Sequence, residues 1–93
     1  MDYKLISMET NHYGNIQIMV ESVVEGRYYP IGIAYSPVVH AEKFDLAKRV
    51  LLGEKLKGVD LQKFNNMIKQ LHEENVRALV KAGHLDAKTK LPV

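Results

Sequence analysis

Hydrophobic and polar positions alternate along the first third of the chain and then change period. Residues 3–10, Tyr-Lys-Leu-Ile-Ser-Met-Glu-Thr, predict a first strand. Asn11-His12-Tyr13-Gly14-Asn15 is turn chemistry, because Asn and Gly tolerate positive φ. The alternation is clearest over 16–25. Ile16, Ile18, Val20 and Val24 share one face, and Gln17, Glu21 and Glu25 share the other. That is the period-two pattern of a sheet with one wet face. Ser22 interrupts the apolar face, and Met19 and Val23 interrupt the polar one. Glu25-Gly26 predicts a tight turn into a third strand over 27–35, where Tyr29, Ile31, Ile33 and Tyr35 alternate. Pro30 cannot donate to a ladder, so this strand belongs at a sheet edge or is bulged there. Three consecutive strands with short turns predict an antiparallel meander.

Ser36-Pro37 marks the change of period, with Ser as an N-cap and Pro at the first helical position. His40, Phe44, Ala47 and Leu51 then share one face of a helix over about 37–52. Gly53 and Gly58 are both candidate stops, which leaves 54–57 open between helix and loop. Asp60 is a candidate cap for a second helix over about 60–82, with Leu61, Phe64, Ile68 and Leu71 as its apolar stripe. The stripe weakens at Glu73-Glu74-Asn75 and resumes at Val76, Leu79 and Val80, so the segment reads as one long helix or as two that bend near 74. Gly83 is its C′ stop. Residues 84–93 carry no helical pattern and read as a frayed tail, an added strand or an arm docking on a neighbour. The expected architecture is α+β, one domain over 1–93. A three-stranded antiparallel meander packs against two C-terminal helices, with a short tail.

Composition adds limits. The chain has 93 residues, 46% hydrophobic and 26% charged, which is ordinary for a globular domain. It contains no cysteine, so disulfides and Cys-ligated zinc or iron–sulfur sites are excluded. No apolar run approaches the ~20 residues of a transmembrane helix. Met1-Asp2-Tyr3-Lys4-Leu5 lacks the basic-then-apolar layout of a secretory signal, so a cytoplasmic location without membrane attachment is expected. A chain this short buries only about 60–65% of its unfolded surface. Self-association into a homo-oligomer would bury more, and is expected.

Charge is unevenly spread. Residues 1–39 hold Lys4 and Arg27 against Asp2, Glu9, Glu21 and Glu25, a net −2, and residues 40–93 hold eleven Lys/Arg against seven Asp/Glu, a net +4. Lys48, Arg49, Lys63, Arg77 and Lys81 are the candidate nucleic-acid contacts of that basic half. Intervening acids dilute it, and Asp45 is placed to pair with Lys48 or Arg49. The strands carry almost no Lys or Arg, although Tyr28 beside Arg27 could stack a base.

Candidate catalytic chemistry fails test by test. His72-Glu73-Glu74 begins an H-E-x-x-H motif, but Val76 stands where the second ligand belongs. His12, His40, His72 and His84 have no ligand spacing, and His40 reads as a hydrogen-bonded residue at the core edge. Neither a metal nor a cofactor is expected. Ser7, Ser22 and Ser36 lie in no strained elbow. Glu21 and Glu25 share a face but stand ~13 Å apart by strand rise. Gly53 and Gly58 bracket two lysines without the Lys-Ser/Thr of a phosphate loop. No residue is nominated as catalytic.

What remains is binding. Tyr13, Met19, Val23, Arg27 and Tyr28 are the candidate partner-binding residues, because amphipathic aromatics and surplus apolar side chains on rigid hairpins suit partner surfaces. Tyr3, Tyr29 and Tyr35 are assigned to the core with hydroxyls at its rim. The expected function is a small non-enzymatic regulator or inhibitor that occludes a surface of a protein partner. Its size and plainness are those of phage or mobile-element accessory proteins. The alternative is a nucleic-acid-binding accessory protein using the basic helical half. An open sheet also has two edges, which invite pairing with a partner or a second copy.

Overall fold

The computed structural model describes residues 2–93. Strands β1 (Asp2–Thr10), β2 (Ile16–Val24) and β3 (Arg27–Tyr35) form one antiparallel sheet in chain order. Helices α1 (Ala41–Leu51) and α2 (Gly58–Lys81) follow. The α+β meander and helix pair expected from the hydrophobic periods is the fold observed. No helix among the described residues is long and apolar enough to cross a membrane.

The central strand β2 sets the layers. Ile16, Ile18, Val20, Ser22 and Val24 are all buried, and the residues between them are half-buried. The inner positions meet Leu46 and Ala47 of α1, Leu56 of the connection, and Phe64, Met67, Ile68 and Leu71 of α2. Tyr35 closes this core at the end of β3. A smaller cluster joins Val24, Val76 and Leu85 near the other end of the sheet. The first turn forms as its sequence requires. The Asn11 side-chain oxygen accepts from the Tyr13 and Asn15 amides, and Gly14 takes φ +80°. Glu25 and Gly26 both have positive φ, 49° and 73°, the twist that suits a two-residue hairpin. β2 therefore stops at Val24 rather than 25.

Strand β1 is the weakly covered member. The pairing of β1 with β2 shifts register between Leu5 and Ser7, so Ile6 is the extra residue of a β-bulge. Most residues of β1 are exposed, and Tyr3, assigned above to the core, is 38% exposed. Tyr29 is half-buried and Tyr35 buried, nearer that assignment.

The first helix begins later than expected. Ser36 does cap: its hydroxyl accepts from the Val38 and Val39 amides at 3.1 and 3.3 Å. The turn it caps ends at His40, whose backbone (φ −123°, ψ 50°) is not helical, and α1 restarts at Ala41. His40 accepts the Ser36 amide on Nδ1 and sits edge-on to Tyr35, as a core-edge histidine should.

The 54–57 segment is loop. Gly53, at φ +88°, turns the chain out of α1, and Leu56 drops into the core. Helix α2 starts at Gly58, so Asp60 lies in its first turn instead of capping it. There Asp60 complements the positive end of the helix dipole and accepts from Arg49 at 3.1 Å. α2 runs unbroken through 73–75. Its stripe weakens there because Asn75 is a buried polar residue while Glu73 and Glu74 face solvent. Gly83, at φ +84°, is the expected stop, and the Leu79 carbonyl accepts from His84. The tail is neither frayed nor a new sheet strand. It folds back, with Leu85 bridging Pro92 and buried against Val24 and Val76 of its own chain.

Candidate interaction face and the polar cluster beneath it

With the helices on one side of the sheet, the other side is left to solvent. Register defines this outer face. Val23 stands opposite Tyr28, Glu21 opposite Pro30, Met19 opposite Gly32, and Gln17 opposite Ala34. A Cβ at Gly32 would run into the Met19 sulfur, so the thioether lies flat across the glycine. Tyr28 is 63% exposed, whereas Met19 and Val23 are half-buried by their neighbours. The surface is held rigidly by two-sided pairing of β2, with Met19, Val23, Tyr28, Pro30, Gly32 and Ala34 as its uncharged apolar positions. Glu21 stands within this face, between Met19 and Val23, and is paired at 3.6 Å with Lys4 on the β1 side.

Three of the five sequence-nominated partner contacts, Met19, Val23 and Tyr28, share this face. Arg27 does not, because it stands opposite Val24 and so falls on the helix-side face at the hairpin tip. Tyr13 is exposed in the β1–β2 turn, its ring tilted against His12, at the far end of the nine-residue β2 strand. That is roughly 30 Å from Tyr28 at the usual strand rise. Pro30, Gly32 and Ala34 extend the face and were not nominated. The available signal was their alternation with Tyr28, all uncharged and mostly small. Beside Val23, a cleft of ≈ 310 Å³ opens between the β2–β3 turn and the tail, lined by Asp2, Glu25, Thr89 and Leu91 among others.

The basic residues are spent differently. Arg49 reaches Glu54 at 2.6 Å, Asp60 at 3.1 Å and Asp45 at 3.9 Å, which ties the end of α1 to the start of α2. Hydrogen bonds to Glu54 and Asp60 raise its already high pKa. Lys63 pairs with Glu42 across the two helices at 3.1 Å. Of the five candidate nucleic-acid contacts, Lys48, Arg77 and Lys81 form no ion pair among the described residues and lie exposed on the helices.

Under the sheet lies a polar cluster that sequence periodicity showed only as breaks in two stripes. Asn75 donates through Nδ2 to the Tyr29 carbonyl (2.7 Å) and to the Ser22 hydroxyl (3.0 Å). The Ser22 hydroxyl and His72 Nδ1 share a further hydrogen bond at 2.8 Å. Burial favours the neutral form of the His72 imidazole. Tyr3 stacks on it with ring centroids 4.6 Å apart. His72 is 8% exposed, and burial lowers its pKa below the usual 6.5.

This arrangement has a pH consequence. The unfolded chain takes a proton on His72 near pH 6.5, while the folded chain resists it. Stability from this residue is therefore complete above about pH 6.5 and declines as pH falls toward the lower folded pKa, levelling off beneath it. Urea melts between about pH 5 and 8 are expected to show that slope in the wild type, and a flatter one in His72→Gln. Equal slopes would mean that the histidine is not buried in its neutral form.

Compared with protein-family models, characterised proteins and solved structures, the chain matches none of them.

Proposed function

We propose that this is a small cytoplasmic binding protein without catalytic activity, which regulates or inhibits a protein partner by occluding part of its surface. The observation that carries the reading is the outer sheet face, with Met19 laid over Gly32 and Tyr28 exposed opposite Val23. Tyrosine and methionine on a rigid face whose one central carboxylate, Glu21, is paired with Lys4 suit a protein contact. The Ser22–His72 contact supports the non-enzymatic side. The serine is fully buried and its hydroxyl is held between two neighbours, so it cannot meet a substrate without local opening. The engagement of Arg49 and Lys63 in ion pairs within the chain takes two cations away from a nucleic-acid surface.

The test is capture of the partner on tagged wild-type protein, Tyr28→Ala and Met19→Glu, at low and high salt, with and without nuclease. A discrete protein retained by the wild type at high salt after nuclease treatment is expected. Each substitution should weaken that retention by about tenfold or more while leaving the circular dichroism spectrum unchanged. Recovery of only nuclease-sensitive, salt-labile material, lost on charge reversal of Lys48 and Arg77, would replace this reading with nucleic-acid binding. Arg49 is unsuitable for that control, because reversing it would break the α1–α2 junction.

A further inference from the structure

The sheet has two free edges of unequal character. The β2–β3 ladder passes through Pro30 without a register break, so the amide that Pro30 lacks is missing from the outer edge of β3. β1 has no proline or glycine from Asp2 to Thr10 and keeps every edge donor. It also holds exposed apolar side chains, with Leu5 at 37% and Ile6 at 48%. A long, donor-rich, apolar edge is the kind that pairs.

We propose that β1 is the interface for a second copy of this chain, pairing antiparallel with its own counterpart to give a continuous six-stranded sheet. The bulge at Ile6 selects the register. Before it, Tyr3 and Leu5 face the helices and Asp2 and Lys4 face outward; after it, Met8 and Thr10 face the helices and Ser7 and Glu9 face outward. Pairing two copies about a two-fold axis must set inner residues opposite inner ones. The register that places Lys4 opposite Glu9 of the second copy satisfies this, since it also sets Leu5 opposite Met8 and Tyr3 opposite Thr10. A shift of two residues one way places Asp2 against Glu9, carboxylate on carboxylate. The same shift the other way sets outward Ser7 against inward Met8. Symmetry makes the Lys4–Glu9 pair twice. The Lys4 side chain is 66% exposed while touching Glu21, and Glu9 has no ion-pair partner among the described residues, so both are available. The edge is distinct from the Met19–Tyr28 patch, and this inference stands or falls separately from the proposed function.

Sedimentation of the full chain at low salt over a range of concentrations tests it. The wild type is expected to show a monomer–dimer equilibrium. Lys4→Glu and Glu9→Lys should each weaken it by about tenfold, because two pairs reverse sign at once, and the Lys4→Glu/Glu9→Lys double variant should recover it. Glu9→Lys leaves the Lys4–Glu21 contact in place, so it reports on the edge even if Lys4→Glu disturbs the fold. In the wild type, β1 amides should exchange more slowly as concentration rises, and β3 amides should not. A strictly monomeric wild type overturns the proposal. So does a dimer indifferent to both single reversals, or a double variant as weak as either single one.

Discussion

Asn75→Ala is expected to lower the free energy of unfolding by about 3 kcal/mol, read as an earlier urea midpoint at unchanged slope. Asn75 is buried, and its amide is the donor to both the Tyr29 carbonyl and the Ser22 hydroxyl. Truncation leaves one buried and one partly buried acceptor short of a donor, at a cost of about 1–3 kcal/mol for the buried one and less for the other, and opens a small void beside them. Ser22→Ala should cost less, about 1–2 kcal/mol, because Asn75 keeps its bond to Tyr29 although both Asn75 and His72 lose their bond to the hydroxyl. The double variant should fall short of the sum, since the pair shares one bond. A loss below about 1 kcal/mol for Asn75→Ala would mean that water takes over the amide's role.

The cluster also bears on the candidate interaction face. Ser22 is the single polar residue among the inner positions of β2, and its partners lie on α2. A one-residue slip of β2 would carry Ser22 to the outer face and Met19 and Val23 inward. Hydrogen bonds from α2 to Ser22 and to the β3 backbone oppose that slip. They hold the helix, the central strand and the edge strand in one register, and so fix which side chains the outer face presents.

Much of this was legible in the chain, for reasons that differ by element. β2 alternates cleanly because one of its faces is buried along its full length, and Met19 and Val23 stood out as breaks in that alternation. β1 gave no clear period because the bulge at Ile6 inverts its parity midway. The Ser36-Pro37 signal was real but governed only one turn, since His40 leaves helical geometry before α1 begins. Arg27 and Tyr28 were grouped as neighbours in sequence, yet adjacent strand residues point to opposite faces. Gly32 and Ala34 carry little hydropathy and so give little signal, although the missing Cβ of Gly32 is what lets Met19 lie flat. Arg49 gathers carboxylates as far away as Asp60, eleven residues on, a distance no local pairing rule reaches. Leu56 and Leu85 each looked like an isolated apolar residue in a polar segment, and burial of such residues depends on loop paths that periodicity does not encode.

Leu85→Ala is expected to cost about 3 kcal/mol, which for a domain of this size lowers the melting temperature by more than about 10 °C. Leu85 is only 2% exposed and is the tail's contribution to the cluster with Val24 and Val76. The loop that delivers it is closed by its own bonds. Asp86 donates its amide to the Leu91 carbonyl at 2.8 Å, and its carboxylate accepts the Lys88 and Thr89 amides, which lowers the carboxyl pKa. The Val93 amide returns to the His84 carbonyl at 3.2 Å. An arm built to dock on a neighbour would behave in the opposite way. Truncating its anchor would change the sedimentation profile and leave the monomer's melt alone. Here the melt should move and the edge-strand association should persist at temperatures where the chain stays folded. The same cluster lies at the end of the sheet where Val23 and Tyr28 are displayed, with Val24 next in the chain. Leu85→Ala should therefore weaken partner retention only as the fold loosens with temperature, whereas Tyr28→Ala should weaken it at every temperature without moving the melt. Loss of binding in Leu85→Ala well below its melting transition would place the tail itself within the contact surface.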